Sequence, residues 1–321
     1  MQNYSLSKDK LREYLLFLMR EYDVIAPIKL NGAVVFKLLA PDDEVELSKN
    51  ADYSPKSFFF PPREQIVSFK GNEVQMPAPL SRKRVLFGIR PCDLNALLTT
   101  DLFFKNPPQD HAYADRRANT FILALECTSP TQNCFCESMG AGKAEKYDML
   151  FQDSGDHFVV KLGTDSAKQL ITQQLQPTEE NPTLTSPSCK KSIKSLNIKQ
   201  SKKIDKIFDK FAEPCLNCGS CTAVCPTCTC FDVEDEVDLT LKGGERRRTW
   251  DSCHFKSFTT VSGGHCFRES RGARLKQRVL HKLLYFNERF GKQMCVGCGR
   301  CITACLVGID ITKIANKITG D

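Results

Sequence analysis

The sequence contains no apolar run near the roughly 20 residues needed to span a bilayer. Its N-terminus, MQNYSLSKDKLREYLLFLMREY, scatters charges through an amphipathic pattern instead of building the apolar centre of a signal peptide. Both absences argue against membrane insertion and secretion, and the expected location is the cytoplasm. No G-x-G-x-x-G follows a strand, no P-loop occurs, and no molybdopterin or nickel motif can be recognised. The net charge is +7, but no helix-turn-helix, RNP or zinc-finger pattern accompanies it, so nucleic acid is not an expected partner. The five histidines stand at no metal-ligand spacing and read as structural.

What the chain does have is cysteine. There are 17 in 321 residues, an odd number, and they are bunched. A disulfide scaffold would be short, paired and secreted. These thiols are therefore read as metal ligands. The length exceeds what one hydrophobic core usually serves, which predicts two domains.

The fold class predicted is α+β. Residues 1–180 form a mixed α/β domain. Ser7 caps a first helix reaching about Arg20, Asn31-Gly32 marks a hairpin, SFFFPPREQIVSFKGNEVQ gives two extended segments, and KRVLFGIRPCDLNALL reads as buried strand, turn and helix. NTFILALEC and HFVVKLG add strands. Residues 181–204 read as a Pro/Ser/Thr-rich, then Lys-rich, linker, either a solvated surface or a patch for an acidic partner. Residues 205–321 read as mostly helical, with helices at KIDKIFDKF, RLKQRVLHKLLYFNERFG (ending at Gly291) and DITKIANKI.

Two runs in this second part share one spacing: Cys215, Cys218, Cys221 and Cys225 in CLNCGSCTAVCP, and Cys295, Cys298, Cys301 and Cys305 in CVGCGRCITACL. C-x2-C-x2-C-x3-C is the bacterial ferredoxin spacing, in which the fourth cysteine serves the other cluster. That assigns Cys215, Cys218, Cys221 and Cys305 to one 4Fe–4S cluster, and Cys295, Cys298, Cys301 and Cys225 to a second. Zinc prefers C-x2-C pairs. An insertion of about 70 residues, expected to bridge by helices, separates the runs, an arrangement similar to the α-helical ferredoxin domains of succinate dehydrogenase and heterodisulfide reductase iron–sulfur subunits. Gly219 and Gly299 fall where each loop must bend. Leu306 stands where the first run has Pro226; either its N–H points at a sulfur and raises that cluster's potential, or it simply packs.

Nine cysteines remain. Cys127, Cys134 and Cys136 follow one strand, and Cys92 lies at the turn after another. If the strands are neighbours, four thiols meet at the carboxyl edge of a sheet and hold a third cluster. Cys92 has two other readings: a reactive thiol at a helix N-terminus, or part of a structural RPCD turn. Cys228, Cys230, Cys253 and Cys266 lie in the insertion, either holding a fourth cluster or packing as small hydrophobes. Cys189, in the linker, reads as free.

In combination, SFFFPPREQIV, GIRPCDLNAL, CFCESMG, CLNCGSCTAVCPTCTCFDV, RRRTWDSC, GGHCFRES and HKLLYF resemble the 4Fe–4S dicluster subunit family of the anaerobic sulfite reductase A subunit and the β subunit of cytoplasmic sulfhydrogenase-type NiFe hydrogenases. The resemblance runs over nearly the whole chain. It implies an electron-transfer subunit between a reductase-like subunit that holds FAD and binds NAD(P)H and a catalytic redox subunit. One departure is Cys266, where the family's GGHxFR pattern has Asn, which sets Cys266 apart from a general cluster site. The competing reading is a redox enzyme with its own thiol or flavin site in the N-terminal domain, fed by the ferredoxin domain.

Overall fold

The computed structural model describes residues 2–181, 187–198 and 202–320. Parts of the predicted linker, residues 182–186 and 199–201, lie outside the described residues. In chain order the elements are β1 (Asn3–Ser7), α1 (Leu11–Leu18), β2 (Asp23–Leu30), β3 (Ala33–Leu38), β4 (Arg63–Lys70), β5 (Glu73–Gln75), β6 (Arg84–Ile89), α2 (Pro91–Phe104), α3 (His111–Ala118), β7 (Thr120–Leu125), β8 (Met149–Asp153), β9 (His157–Leu162) and β10 (Gln176–Thr178). There follow α4 (Lys202–Ala212), α5 (Ser220–Ala223), β11 (Phe231–Val237), β12 (Gly243–Trp250), α6 (Arg271–Leu280), α7 (Phe286–Phe290), α8 (Arg300–Thr303) and α9 (Ile311–Thr319). The fold is α+β.

Eight strands form one mixed sheet in the order β10-β1-β9-β8-β7-β6-β2-β3. Its centre, β2, β6, β7 and β8, is parallel. These strands are buried on both faces, so they read as continuous apolar runs. Alternation splits β6 between two cores: Val85 and Phe87 join Leu6, Tyr14 and Phe151, while Leu86 and Ile89 join Phe59, Leu94 and Tyr113. The Asn31-Gly32 hairpin between β2 and β3 forms as predicted, with φ of 49° and 83°. Ser7 does not cap a helix; it ends β1, and a single 3-10 turn at Lys8–Lys10 precedes α1.

The insertion between the cysteine runs departs from a helical bridge. It opens with the β11–β12 hairpin, which joins β4 and β5 in a second, four-stranded antiparallel sheet. Charge explains the pairing. Asp235 faces Arg246 directly and accepts hydrogen bonds of 2.7 and 2.8 Å from it, while Arg248 is buried against Glu64 and Asp110. α4, α6 and α9 pack a third core of Phe208, Leu275, Val279, Leu283 and Ile314. α6 continues through a π-helical turn, His281–Tyr285, into α7, which ends at Gly291 with φ 66°.

Candidate metal centres

Both ferredoxin-type runs fold alike. A left-handed glycine, Gly219 (φ 74°) or Gly299 (φ 78°), starts a one-turn helix, α5 or α8, that carries the third cysteine and ends two residues before the fourth. The turn aims the first three thiols inward and sends the fourth beyond. One cavity is lined by Cys215, Cys218, Cys221 and Cys305, and a second by Cys295, Cys298, Cys301 and Cys225. The second therefore draws three thiols from its own run and Cys225 from the other, while the first draws three from its own run and both Cys305 and Cys301 from the other, so Cys301 lines both.

The lining suits an anionic group rich in sulfur acceptors. Arg278, lining both cavities, and Lys282, lining the second, are fully buried and have no carboxylate partner among the described residues. Arg278 donates to the Cys221 carbonyl at 3.3 Å, and Lys282 to the Thr227 hydroxyl at 2.9 Å. Burial works against the charged form of each. The neighbouring cysteine sulfurs, Cys221 first at Arg278 and Cys225 and Cys228 at Lys282, act the other way and outweigh it, so both side chains favour the cationic form. Arg278 Nε and both ring nitrogens of His254, all at the first cavity, are buried without partners. Burial, then Arg278 and Arg274, push the His254 pKa down to about 4, so the ring is neutral and keeps one N–H to donate. The residues present thus fit a 4Fe–4S group, whose sulfides supply the missing acceptors.

Zinc fits less well. Its 2.3 Å bonds would draw ligands into a tight tetrahedron. No three His, Cys, Asp or Glu among the described residues gather closely enough for a single ion; the thiols stand around the cavities instead.

At the sheet edge, β6 and β7 are parallel neighbours, so Cys92 at the start of α2 and Cys127 after β7 reach the same end. Arg90, buried between them, donates to the Glu126 and Leu47 carbonyls and faces both thiols. Cys134 and Cys136 arrive on a loop docked against the second cysteine run: the Phe135 N–H donates to the Gly297 carbonyl at 2.8 Å, and Cys134 Sγ to the Cys298 carbonyl at 3.6 Å. Cys92, Cys136 and Cys298 share one small apolar cluster. Burial, then the neighbouring Asp93, push the Cys92 thiol well up, the reverse of what a reactive thiol requires. Cys189 is not isolated: its sulfur lies 3.6 Å from that of Cys136.

In the insertion, Cys228 pairs with Cys225, and Cys230 with Cys253. Buried Lys56 lies beside them, donating to the Cys228 carbonyl at 3.2 Å with its ammonium 3.7 Å from the centre of the Trp250 ring. Cys266 stands apart, against Thr259. Leu306 meets neither expectation: it is 78% exposed, and the backbone N–H that reaches the Cys305 sulfur, at 3.2 Å, belongs to Ile309.

An α-helical core that brings exchanged cysteine runs around two sulfur-seeking cavities defines an iron–sulfur electron-transfer protein. Residues 214–309 match the 4Fe-4S dicluster domain family. Sulfhydrogenase 2 subunit beta of Pyrococcus furiosus is 31% identical over 317 residues, covering 92% of this chain and 92% of that protein. The chain belongs to the sulfhydrogenase beta-subunit family. No solved structure matches it. No helix among the described residues is long and apolar enough to cross a membrane.

Proposed function

We propose that the chain is the electron relay of a cytoplasmic multisubunit oxidoreductase. It carries electrons between a reductase-like subunit, which holds FAD and binds NAD(P)H, and a catalytic redox subunit of the sulfite reductase, hydrogenase or heterodisulfide reductase type. Cys215, Cys218, Cys221 and Cys305 hold one 4Fe–4S cluster, and Cys295, Cys298, Cys301 and Cys225 the second. A third sits at the sheet edge with Cys127, Cys134 and Cys136, for which Cys92 is the fourth ligand expected from the sequence. Cys228, Cys230 and Cys253 have no fourth thiol of their own once Cys225 serves the second cluster, so three clusters are counted.

The observation that carries this reading is contiguity. Cys301 lines both ferredoxin-type cavities, and Cys298 packs with Cys92 and Cys136, so three thiol-lined sites adjoin in series. A bound 4Fe–4S group supplies reversible storage of one electron at each. The chain's own residues keep the series dry and charge-balanced: Arg278 and Lys282 offset thiolate charge, and Arg300 clamps α8 to Asp93 of α2 with bonds of 2.6 and 2.7 Å. The test is iron and acid-labile sulfide on protein purified without oxygen. About 12 irons per chain support three clusters, since each cubane holds four. About 8 would remove the N-terminal site, and about 16 would add the insertion thiols.

A further inference from the structure

The sheet edge carries more thiols than one cubane can use. Cys92, Cys127, Cys134 and Cys136 come from the α/β part, and Cys189 comes from the segment that follows it. Five thiols compete for four corners, and their placement separates them.

Cys189 is held where it is from both sides. Its own N–H donates to the Glu137 carboxylate at 3.4 Å, one residue from Cys136. Pro187 packs on Gly142 so closely that a Cβ there would lie 3.1 Å from the proline ring. Downstream, the Ile193 N–H donates to the Ser138 hydroxyl at 3.1 Å, and Ile193 and Ile198 bury in the helical core beside Phe135. Lys191 pairs with Asp310 at 2.7 Å, and Asn316 of α9 bonds the backbone of both Ser192 and Lys194. The segment is thus stitched to the Cys134–Cys136 loop on one flank and to α9 on the other, and it brings the Cys189 sulfur 3.6 Å from Cys136. Cys127, Cys134, Cys136 and Cys189 lie within electrostatic reach of one another in every pairing.

Cys92 sits differently. It is in the first turn of α2, buried among Ala96, Ala141 and Val296, between Cys136 on one side and Cys298 on the other. Its sulfur already accepts a hydrogen bond from Asn50 Nδ2 at 3.4 Å. The adjoining Asp93 carboxylate is fully enclosed and committed to Arg300. A second anion at Cys92 would lie beside that carboxylate, with Arg300 already committed to Asp93 and Arg90 shared with Cys127.

We propose that Cys189 is the fourth ligand of the N-terminal site, completing a Cys127, Cys134, Cys136, Cys189 set, and that Cys92 is not a ligand but fills the gap between this site and the one at Cys298. This rests on the reading of the sheet edge as a cluster site. It gives the segment after the α/β part a function, because metal binding there ties that segment to the loop that abuts the second cysteine run.

The test compares C134S, C189S and C92S proteins prepared without oxygen, read by iron and sulfide content and by EPR of the dithionite-reduced state. C134S is the reference for loss of this site. Expected: C134S and C189S each lose about four irons and the same EPR component, while C92S keeps the wild-type content. Full iron in C189S with loss in C134S would overturn the proposal and leave the sheet-edge site standing. Full iron in C134S as well would remove the site itself. A measurement on the wild type needs no variant to fold: iodoacetamide labelling of iron-loaded protein, mapped by mass spectrometry. Cys189 is only half-buried, so a free thiol there would label and would refute the assignment. Protection that disappears after iron chelation supports it.

Discussion

The two cysteine runs, CLNCGSCTAVC and CVGCGRCITAC, follow one backbone path and live in different surroundings. Gly219 and Gly299 take the same left-handed turn, and Cys225 and Cys305 close the two helices with the same 3.3 Å bond, to Thr222 and Ile302. The second run is walled in. A Cβ on Gly299 would lie 2.5 Å from the Asn133 backbone, and Arg300 is locked into Asp93, Asn50 and the Ala51 carbonyl. The first run opens outward: Ser220 stands where Arg300 does, Cys218 is exposed, and Leu216 is 59% exposed. Cysteine spacing sets the path, and the residues between the cysteines decide which run is insulated and which is open at the surface.

Metal removal should affect both runs at once and gives the largest expected effect. On the proposed assignment, with the fourth ligands exchanged, neither run would hold its cluster alone. Anaerobic chelation should lower the thermal midpoint by at least ~10 °C and melt the helices of the C-terminal core before the large sheet. Far-UV circular dichroism follows this directly; an unchanged midpoint would show that the thiols carry no structural metal. The next effects separate the runs. Arg300→Met strands Asp93 in the interior and should cost about 3–5 kcal/mol in chemical denaturation, with D93N/R300M recovering part of it. Ser220→Arg at the open run should change stability by less than about 0.5 kcal/mol.

A smaller contrast lies in the glycines. Both need a positive φ, but the obstacles to a Cβ differ. At Gly299 it is the backbone of Asn133, which cannot swing away; at Gly219 it is the tip of the Phe255 ring, 2.7 Å off, which can. Gly299→Ala should cost about 3–5 kcal/mol and Gly219→Ala about 1–2 kcal/mol. Equal losses would mean that φ strain alone decides and that the wall around the second run is soft.

Much of this was legible in the sequence because it depends on local rules. β6 and β7 read correctly as buried apolar strands, Asn31-Gly32 as a hairpin, and Gly291 as a helix end, while β8 was not read as a strand. The repeated spacing also raised the expectation of two exchanged thiol sets, and Cys225 and Cys305 each line the cavity of the other run. What escaped depends on partners distant in the chain. Asn3–Ser7 is short and mostly polar, and becomes a strand only by pairing with β9 and β10. FDVEDEV and GGERRRTW carry too much charge to read as strands. Their acids and arginines make sense only face to face, with Arg248 reaching Glu64 in β4. Cys189 sits among Pro, Ser and Lys, the composition of a linker. Its position is set by Ile193, Ile198 and Asn316, whose roles appear only once α9 is in place.

The smallest effect tests the one difference between the runs that first draws the eye, the proline of the first and Leu306 of the second. If Leu306 tuned the site through its own N–H, replacing it with proline would delete that donor and shift the reduction potential. The structure gives that task to Ile309, whose N–H reaches the Cys305 sulfur at 3.2 Å, and leaves the Leu306 side chain in solvent. Leu306→Pro should therefore change stability by less than about 1 kcal/mol and leave the EPR-monitored midpoints where they are. Ile309→Pro removes the observed donor two residues before the N-terminus of α9 and should shift the potential of the site that contains Cys305, without moving the other. A shift with Leu306→Pro and none with Ile309→Pro would reverse the assignment and make the proline the tuning difference between the runs.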